Sequence, residues 1–261
     1  MRILHNDNTL VNFFLRLRES RQSLLLLDYD GTLAPFTRDR DNAHPYPELR
    51  SVLEELLHEE TCRMVIVSGR TVDDLVPLLD LDPMPELWGS HGWERLHADG
   101  TYVLPDLDNE TAELLAREWE WLTDSVPHDS IERKPASVAL HWRGLDQIDQ
   151  VALHAVAIRR WRKLAESTRL ELHPFIGGLE LRAEGRSKAY AVETLLSEYQ
   201  TLPVTAYLGD DLTDEEAFAA LGERGLRVLV RSEHRNTVAD IQLTPPGELL
   251  EFLVTWKDQL Q

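Results

Sequence analysis

Apolar positions in the first third of the chain recur with two different periods. Leu10, Phe13, Phe14 and Leu17 fall three and four residues apart, which predicts a helix. Leu24-Leu25-Leu26-Leu27 is apolar at every position and predicts a strand buried on both faces. A second helix follows, with Pro47 near its first position and Leu49, Val52, Leu53, Leu56 and Leu57 along one face. Met64-Val65-Ile66-Val67 predicts the next strand, Thr71 with Asp74 has capping-box spacing for a helix, and Leu87-Trp88-Gly89 predicts a third strand. The same alternation returns near the C-terminus. A helical stripe runs through Val192, Leu195, Leu196 and Tyr199, and strands are predicted at Val204 to Leu208 and Leu226 to Val230. Thr213 and Glu216 have the spacing of a capping box between those strands. Strands alternating with helices predict a parallel sheet covered on both faces.

The middle of the chain follows a different pattern. Helical stretches around Asn109 to Val126 and Asp146 to Ala165 are interleaved with short alternating strands. In Ser137-Val138-Ala139-Leu140-His141-Trp142-Arg143 a period of two places His141 and Arg143 on one face, and Leu140 and Trp142 on the other. Glu132 shares a face with Lys134, and Glu180 with Arg182, for the same reason. Such alternation predicts an antiparallel sheet with one face packed on helices and one face wet. The expected fold class is α/β: a Rossmann-like parallel-sheet core with helices on both faces, plus an inserted α+β cap with an antiparallel sheet. The core is expected at residues 1–105 and 185–261, and the cap at 106–184.

Composition narrows the function classes. The chain has 261 residues, 43% hydrophobic and 28% charged, as expected of a soluble globular protein. No apolar run approaches the ~20 residues of a membrane span, and the first residues have no apolar stretch of the kind a secretory signal needs. Cys62, the single cysteine, rules out an intrachain disulfide and sits beside an apolar run, so a small buried thiol and a reducing cytoplasm are expected. Lys and Arg number 27 against 46 Asp and Glu, a formal charge of −19 that repels nucleic acid and anionic membranes. A phosphorylated substrate would be repelled as well, so a phosphate site must bring its own cations.

Candidate chemistry collects where the predicted parallel strands end, which is where such sheets bind ligands. Asp28-Tyr29-Asp30-Gly31-Thr32-Leu33 directly follows the all-leucine strand. One carboxylate placed there can attack phosphorus and its neighbour can handle protons, while a divalent cation offsets the repulsion between them. Asp-x-Asp-Gly by itself also suits an ordinary turn; the strand before it and Thr32-Leu33-Ala34-Pro35 after it favour function. Ser68-Gly69-Arg70 closes the second strand ahead of a helix, where a hydroxyl and backbone N–H groups suit a phosphate. Lys188 opens a helix, a position the helix dipole disfavours for a cation unless something anionic lies opposite. Gly209-Asp210-Asp211-Leu212-Thr213-Asp214-Glu215 gathers carboxylates after another strand, an oxygen-rich set suited to Mg²⁺. Ser68-Gly69 alone reads as a turn and Lys188 alone as a solvated charge. The four pieces together, in this order, point to phosphate chemistry.

These motifs resemble the haloacid-dehalogenase-like (HAD) phosphatase superfamily over both core segments. More narrowly, the chain resembles the trehalose-6-phosphate phosphatase family. That likeness adds Gly89-Ser90-His91-Gly92-Trp93-Glu94, Glu132-Arg133-Lys134, Leu140-His141-Trp142-Arg143 and Glu180-Leu181-Arg182 to the motifs above. The resemblance implies Asp28 as nucleophile and Asp30 as general acid and then base. It implies phosphate binding by Thr32, Ser68, Gly69, Arg70 and Lys188. Mg²⁺ would be held by Asp28, the Asp30 carbonyl and Asp210, with Asp214 in support. The cap would close over the substrate, and Glu132, Lys134 and Glu180, with His141 a further candidate, would contact sugar hydroxyls. The implied substrate is trehalose 6-phosphate, and a trehalose-phosphate synthase is a possible partner. Phosphatases for sucrose phosphate, mannosyl-phosphoglycerate or glucosylglycerol phosphate share the scaffold and are alternatives, as is a non-catalytic regulatory module. The last would be marked by loss of a catalytic carboxylate, and none is lost. Two positions depart from the family pattern: Ala183 stands where proline is usual, and Ala189 where glycine is usual.

Overall fold

The computed structural model describes residues 1–4, 7–37, 39–142, 146–175 and 177–260, with backbone only at 7–9 and 148. The chain separates into two compact units, Met1–Val103 with Ser187–Gln261, and Leu104–Arg186. In chain order the first unit contributes β1 (Arg2–Ile3), α1 (Asp7–Glu19), β2 (Ser23–Leu27), α2 (Arg50–Leu57), β3 (Cys62–Val67), α3 (Val72–Leu79), β4 (Glu86–Gly89), β5 (Glu94–Leu96) and β6 (Tyr102–Val103). The second unit holds α4 (Asn109–Ser125), β7 (Ile131–Lys134), β8 (Ser137–His141), α5 (Gln147–Ser167), β9 (Leu170–Phe175) and β10 (Gly178–Ala183). The chain then returns to the first unit with α6 (Lys188–Ser197), β11 (Val204–Gly209), α7 (Leu212–Leu221), β12 (Gly225–Val230), β13 (Ile241–Leu243) and α8 (Gly247–Gln259).

The core sheet has the order β1-β13-β12-β11-β2-β3-β4-β5-β6. The run from β13 through β4 is parallel, and β1, β5 and β6 join its edges antiparallel. The leucine run explains why helices cover both faces. Leu25 and Leu27 belong to one apolar core, and Leu24 and Leu26 to the other. Met64 and Ile66 of β3 divide from Val65 and Val67 in the same way. All four leucines are fully buried, so each one cut to alanine costs about 2–5 kcal/mol. The chain leaves β2 for β3 on one side and returns through β11 on the other, so the C-terminal end of β2 is the topological switch point.

Helix α7 corrects one expectation. Its N-cap is Asp211 rather than Thr213, and Asp214 at the third helical position accepts the Asp210 and Asp211 N–H groups at 3.0 and 2.9 Å. The acidic pair Asp211 and Asp214 has the same three-residue spacing as Thr213 and Glu216 and takes the cap two residues earlier.

The second unit is an antiparallel sheet in the order β7-β8-β10-β9, with apolar residues of α4, α5, β8 and β10 in one core. Glu132 lies opposite Ala139, which lies opposite Glu180, which lies opposite His173. Part of the polar face is buried rather than wet: Glu180 and Arg182 are 2% and 3% exposed, while Glu132, Lys134 and His141 are partly exposed. Opposite charges placed on one face by the alternation satisfy one another, which is what lets them be buried. Ala183, the departure from the family's proline, donates its N–H to Ala136 O at 2.9 Å, a bond that proline lacks. Arg143 lies outside the described residues.

Candidate active site

Asp28 continues β2 beyond its last leucine, and its N–H is bonded to Leu208 O at 2.8 Å. Its side chain therefore stands at the switch point, 3% exposed. Gly31 has φ +85° and lies against the Asp210 carboxylate, where an added Cβ would come within 2.3 Å of an oxygen. Only glycine allows both the turn and that approach. Asp28, Asp210 and Asp214 each offer an oxygen within 4.8 Å of the others, and all three are buried.

Lys188 enters this cluster from the first turn of α6. Its Nζ donates to Asp28 Oδ1 at 2.5 Å and Asp214 Oδ1 at 2.7 Å. Burial works against its charge, but the two carboxylates outweigh that and hold its pKa above the ordinary lysine value. The neighbouring Ala189 does not prevent Lys188 from reaching both partners.

Asp214 is fully engaged. Oδ1 accepts from Lys188 and from the Tyr207 hydroxyl at 2.8 Å, and Oδ2 accepts the two N–H groups that cap α7. Asp210 is not: its Oδ1 is buried with no hydrogen-bond partner among the described residues. An orphaned carboxylate oxygen among three carboxylates and one ammonium suits a hard divalent cation. Asp210 through its orphaned oxygen and Asp28 through the oxygen that Lys188 does not take could hold it, with Asp214 fixing their surroundings.

Burial, then the Asp214 carboxylate, push the Asp28 carboxyl up to about 7, and Asp210 is driven well above its ordinary value by burial and Asp28. An aspartate in the unfolded chain ionises near about 4. Between those values the folded metal-free protein binds more protons than the unfolded one, so stability falls as pH rises. The Tm of the chelator-treated protein is therefore expected to drop between pH 5 and pH 8. Adding Mg²⁺ is expected to raise Tm more at pH 8 than at pH 5, as differential scanning fluorimetry would read.

The other candidates divide in two. Thr32 Oγ1 stands 3.5 Å from Asp28 Oδ2, and Ser68 Oγ accepts the Arg70 N–H at 3.1 Å. Arg70 grips Asp30 through both carboxylate oxygens, at 2.7 Å each, and also bonds Arg40 O at 2.9 Å. Its guanidinium is thus bound to the proton-handling candidate.

On the cap sheet the four candidates form one network. Lys134 Nζ donates to Glu180 at 3.0 Å and lies 3.8 Å from Glu132, which meets His141 Nε2 at 2.8 Å. Ser137 and Arg182 also donate to Glu180, at 2.6 and 3.0 Å. Removing Glu180 leaves Lys134 and Arg182 buried without their shared anion. Glu180→Ala is expected to destabilise the cap by about 3–5 kcal/mol, measured as a shift in urea midpoint at constant m.

The family model for trehalose-phosphatase matches residues 26–244. The chain belongs to the trehalose-phosphatase family. Among its relatives, the trehalose-phosphate phosphatase of Mycobacterium ulcerans (strain Agy99) is 30% identical over 254 residues, covering 90% of this chain and 62% of the relative. The probable trehalose-phosphate phosphatase C of Arabidopsis thaliana is 31% identical over 275 residues, covering 92% and 79%. The solved C-terminal domain of C. albicans trehalose-6-phosphate phosphatase has the same fold, with a TM-score of 0.82 at 24% identity over 98% of both chains. The chain thus spans about three-fifths of the mycobacterial relative's length.

Two side chains at this acidic cluster escaped sequence reasoning. Tyr207, in the middle of β11, props Asp214. Its only signal is a hydroxyl inside an apolar strand. Arg235 donates to Asp210 O at 3.2 Å and Asp211 O at 2.7 Å and pairs with Glu215, clamping the acidic loop. It lies in a polar loop where nothing in the local pattern singles it out.

Proposed function

We propose that this chain hydrolyses trehalose 6-phosphate to trehalose and phosphate, using Asp28 as a covalent nucleophile and Mg²⁺ as its metal. The observation that supports this most is the buried Asp28 at the end of β2, bonded to Lys188 and beside the orphaned oxygen of Asp210. The names of its relatives supply the sugar.

An Asp28 oxygen forms a bond to phosphorus as the bond from phosphorus to the sugar oxygen breaks, and Asp30 gives that oxygen a proton. To carry the proton, Asp30 releases one of its two Arg70 contacts. Asp30 then takes a proton from water, which attacks phosphorus and frees Asp28. Ser68 and Lys188 hold phosphoryl oxygens, with Thr32 and the Gly69 and Arg70 backbone beside them. Asp28, Asp210 and the Asp30 carbonyl would hold Mg²⁺, which would supply charge neutralisation at the phosphoryl group. Arriving phosphate would also draw Lys188 away from Asp28, leaving the nucleophile free to attack.

Glu132, Lys134, Glu180 and His141 recognise the sugar. Carboxylates and an ammonium in a fixed array can hydrogen-bond several hydroxyls of one ring. A synthase making the sugar phosphate is the natural partner. Among the described residues no helix is long and apolar enough to cross a membrane. Burial pushes the Cys62 thiol up to about 11, so it stays unreactive, and a cytoplasmic location completes the proposal.

Phosphate release from trehalose 6-phosphate, sucrose 6-phosphate and glucose 6-phosphate, with Mg²⁺ and with chelator, tests the reading. A Mg²⁺-dependent preference for trehalose 6-phosphate is expected. Faster release from sucrose 6-phosphate would keep the core chemistry and overturn the cap assignment. Lack of release from all three would remove the phosphatase reading. Glu132→Gln is expected to raise KM for trehalose 6-phosphate about tenfold with little change in kcat, because it removes binding shared by ground and transition states.

A further inference from the structure

The turn between β4 and β5 has no part in the chemistry above, yet it is strained and buried. Ser90 and His91 lie consecutively in the left-handed region, at φ 48° and 55°, which non-glycine residues seldom enter. They are 3% and 8% exposed. The main chain latches the turn to the second catalytic strand end. Ser68 N–H donates to Trp88 O at 2.8 Å, His91 N–H to Ser68 O at 2.9 Å, and Ser90 N–H to Arg70 O at 2.6 Å. The His91 ring lies on Gly69, where an added Cβ would stand 2.5 Å from two ring atoms.

The next residue makes the opposite contact. Gly92, at φ +97°, sits so close to the Ser187 carbonyl that a Cβ would come within 2.5 Å of its oxygen. Ser187 is the N-cap of α6 and immediately precedes Lys188. Glu94, 3% exposed, closes the turn: its carboxylate accepts the Ser90 hydroxyl, the Tyr102 hydroxyl at 2.9 Å and the N–H of Val72 at 3.4 Å. One turn thus touches both Ser68-Gly69-Arg70 and Ser187, the residue before Lys188, more than a hundred residues apart in the chain.

We propose that the Ser90-His91-Gly92 turn, clasped by Glu94, is a positioning element that sets the spacing between the Ser68 hydroxyl and the Lys188 ammonium. The purpose of that spacing rests on the phosphatase reading. If the turn relaxes, its backbone contacts on Ser68 and Ser187 shift. Misplacement by about 1 Å of groups that hold a transferring phosphoryl costs on the order of 10²-fold in rate.

Ser90→Gly tests this. It removes the hydroxyl that Glu94 holds, and glycine adopts left-handed φ freely, so Tm is expected to stay level or rise. With Mg²⁺ and trehalose 6-phosphate, kcat is expected to fall about 10- to 100-fold, with KM rising no more than several-fold. Inorganic phosphate, a probe of the cradle alone, is expected to bind several-fold more weakly in calorimetry. A merely structural turn would show wild-type kcat, KM and phosphate affinity in Ser90→Gly, and that result overturns the proposal while the phosphatase reading stands. If the wild type releases no phosphate from any sugar phosphate, the phosphatase reading fails and the calorimetric comparison alone decides the positioning role. A wild type that neither turns over nor binds inorganic phosphate overturns both. Should Ser90→Gly fold poorly, His91→Asn takes its place with the same readouts, because asparagine tolerates the left-handed region.

Discussion

Asp28→Asn is expected to abolish phosphate release while raising the Tm of the metal-free protein at pH 8. The first half follows from chemistry, since an amide cannot form the covalent bond to phosphorus. Loss of a nucleophile of this kind costs roughly 10⁴- to 10⁶-fold in kcat. The second half follows from charge. Three buried carboxylates face the Lys188 ammonium, and Asp28 is pushed up to about 7 by burial and Asp214. Making residue 28 neutral relieves that repulsion, and Lys188 keeps its 2.7 Å bond to Asp214. A natural carboxylate that destabilises the empty fold is what a site built for a cation and a phosphate requires. Scanning fluorimetry in chelator and a phosphate-release assay in Mg²⁺ check the two halves separately. Wild-type turnover in this variant would end the covalent mechanism.

The opposite effect on stability is expected for Lys188→Met. It removes the cation that bonds Asp28 and Asp214 while leaving both carboxylates buried. Breaking a buried pair from one side costs about 3–5 kcal/mol. Turnover is expected to be lost as well, because the phosphoryl oxygens lose their fixed positive charge. Lys188→Arg is not expected to rescue either property: the ammonium is almost fully buried, and a larger planar guanidinium does not fit the space of a compact point charge. Urea unfolding in chelator reads the first effect as a lowered midpoint at unchanged m. A loss under about 1 kcal/mol would mean that water or another group replaces the ammonium.

Much of the core was legible in the chain because its signals are local. Four successive leucines leave β2 no solvent face, so a sheet covered on both sides follows from the residues alone. Asp28 and Asp30 directly after that strand also make a candidate site legible from local sequence, although Asp-x-Asp-Gly alone suits a turn as well. Other features depend on the fold. Lys188 meets Asp28 across 160 residues, through a topology that no spacing reveals. Glu180 and Arg182 read as solvent-facing because each carries a charge, and only their partners explain why they are buried. Asp211 and Asp214 took the helix cap from Thr213 because both pairs satisfy the same pattern. The left-handed conformation of Ser90 and His91 leaves no trace in composition, since neither is the glycine such backbone favours.

The most direct test of Asp28 as a covalent nucleophile is a single turnover of trehalose 6-phosphate labelled at phosphorus, quenched in acid at successive times. Label is expected to appear on the protein before free phosphate, to map to the peptide containing Asp28, and to be absent from Asp28→Asn. Free phosphate forming with no protein-bound label at any time, or label remaining on Asp28→Asn, would contradict the account.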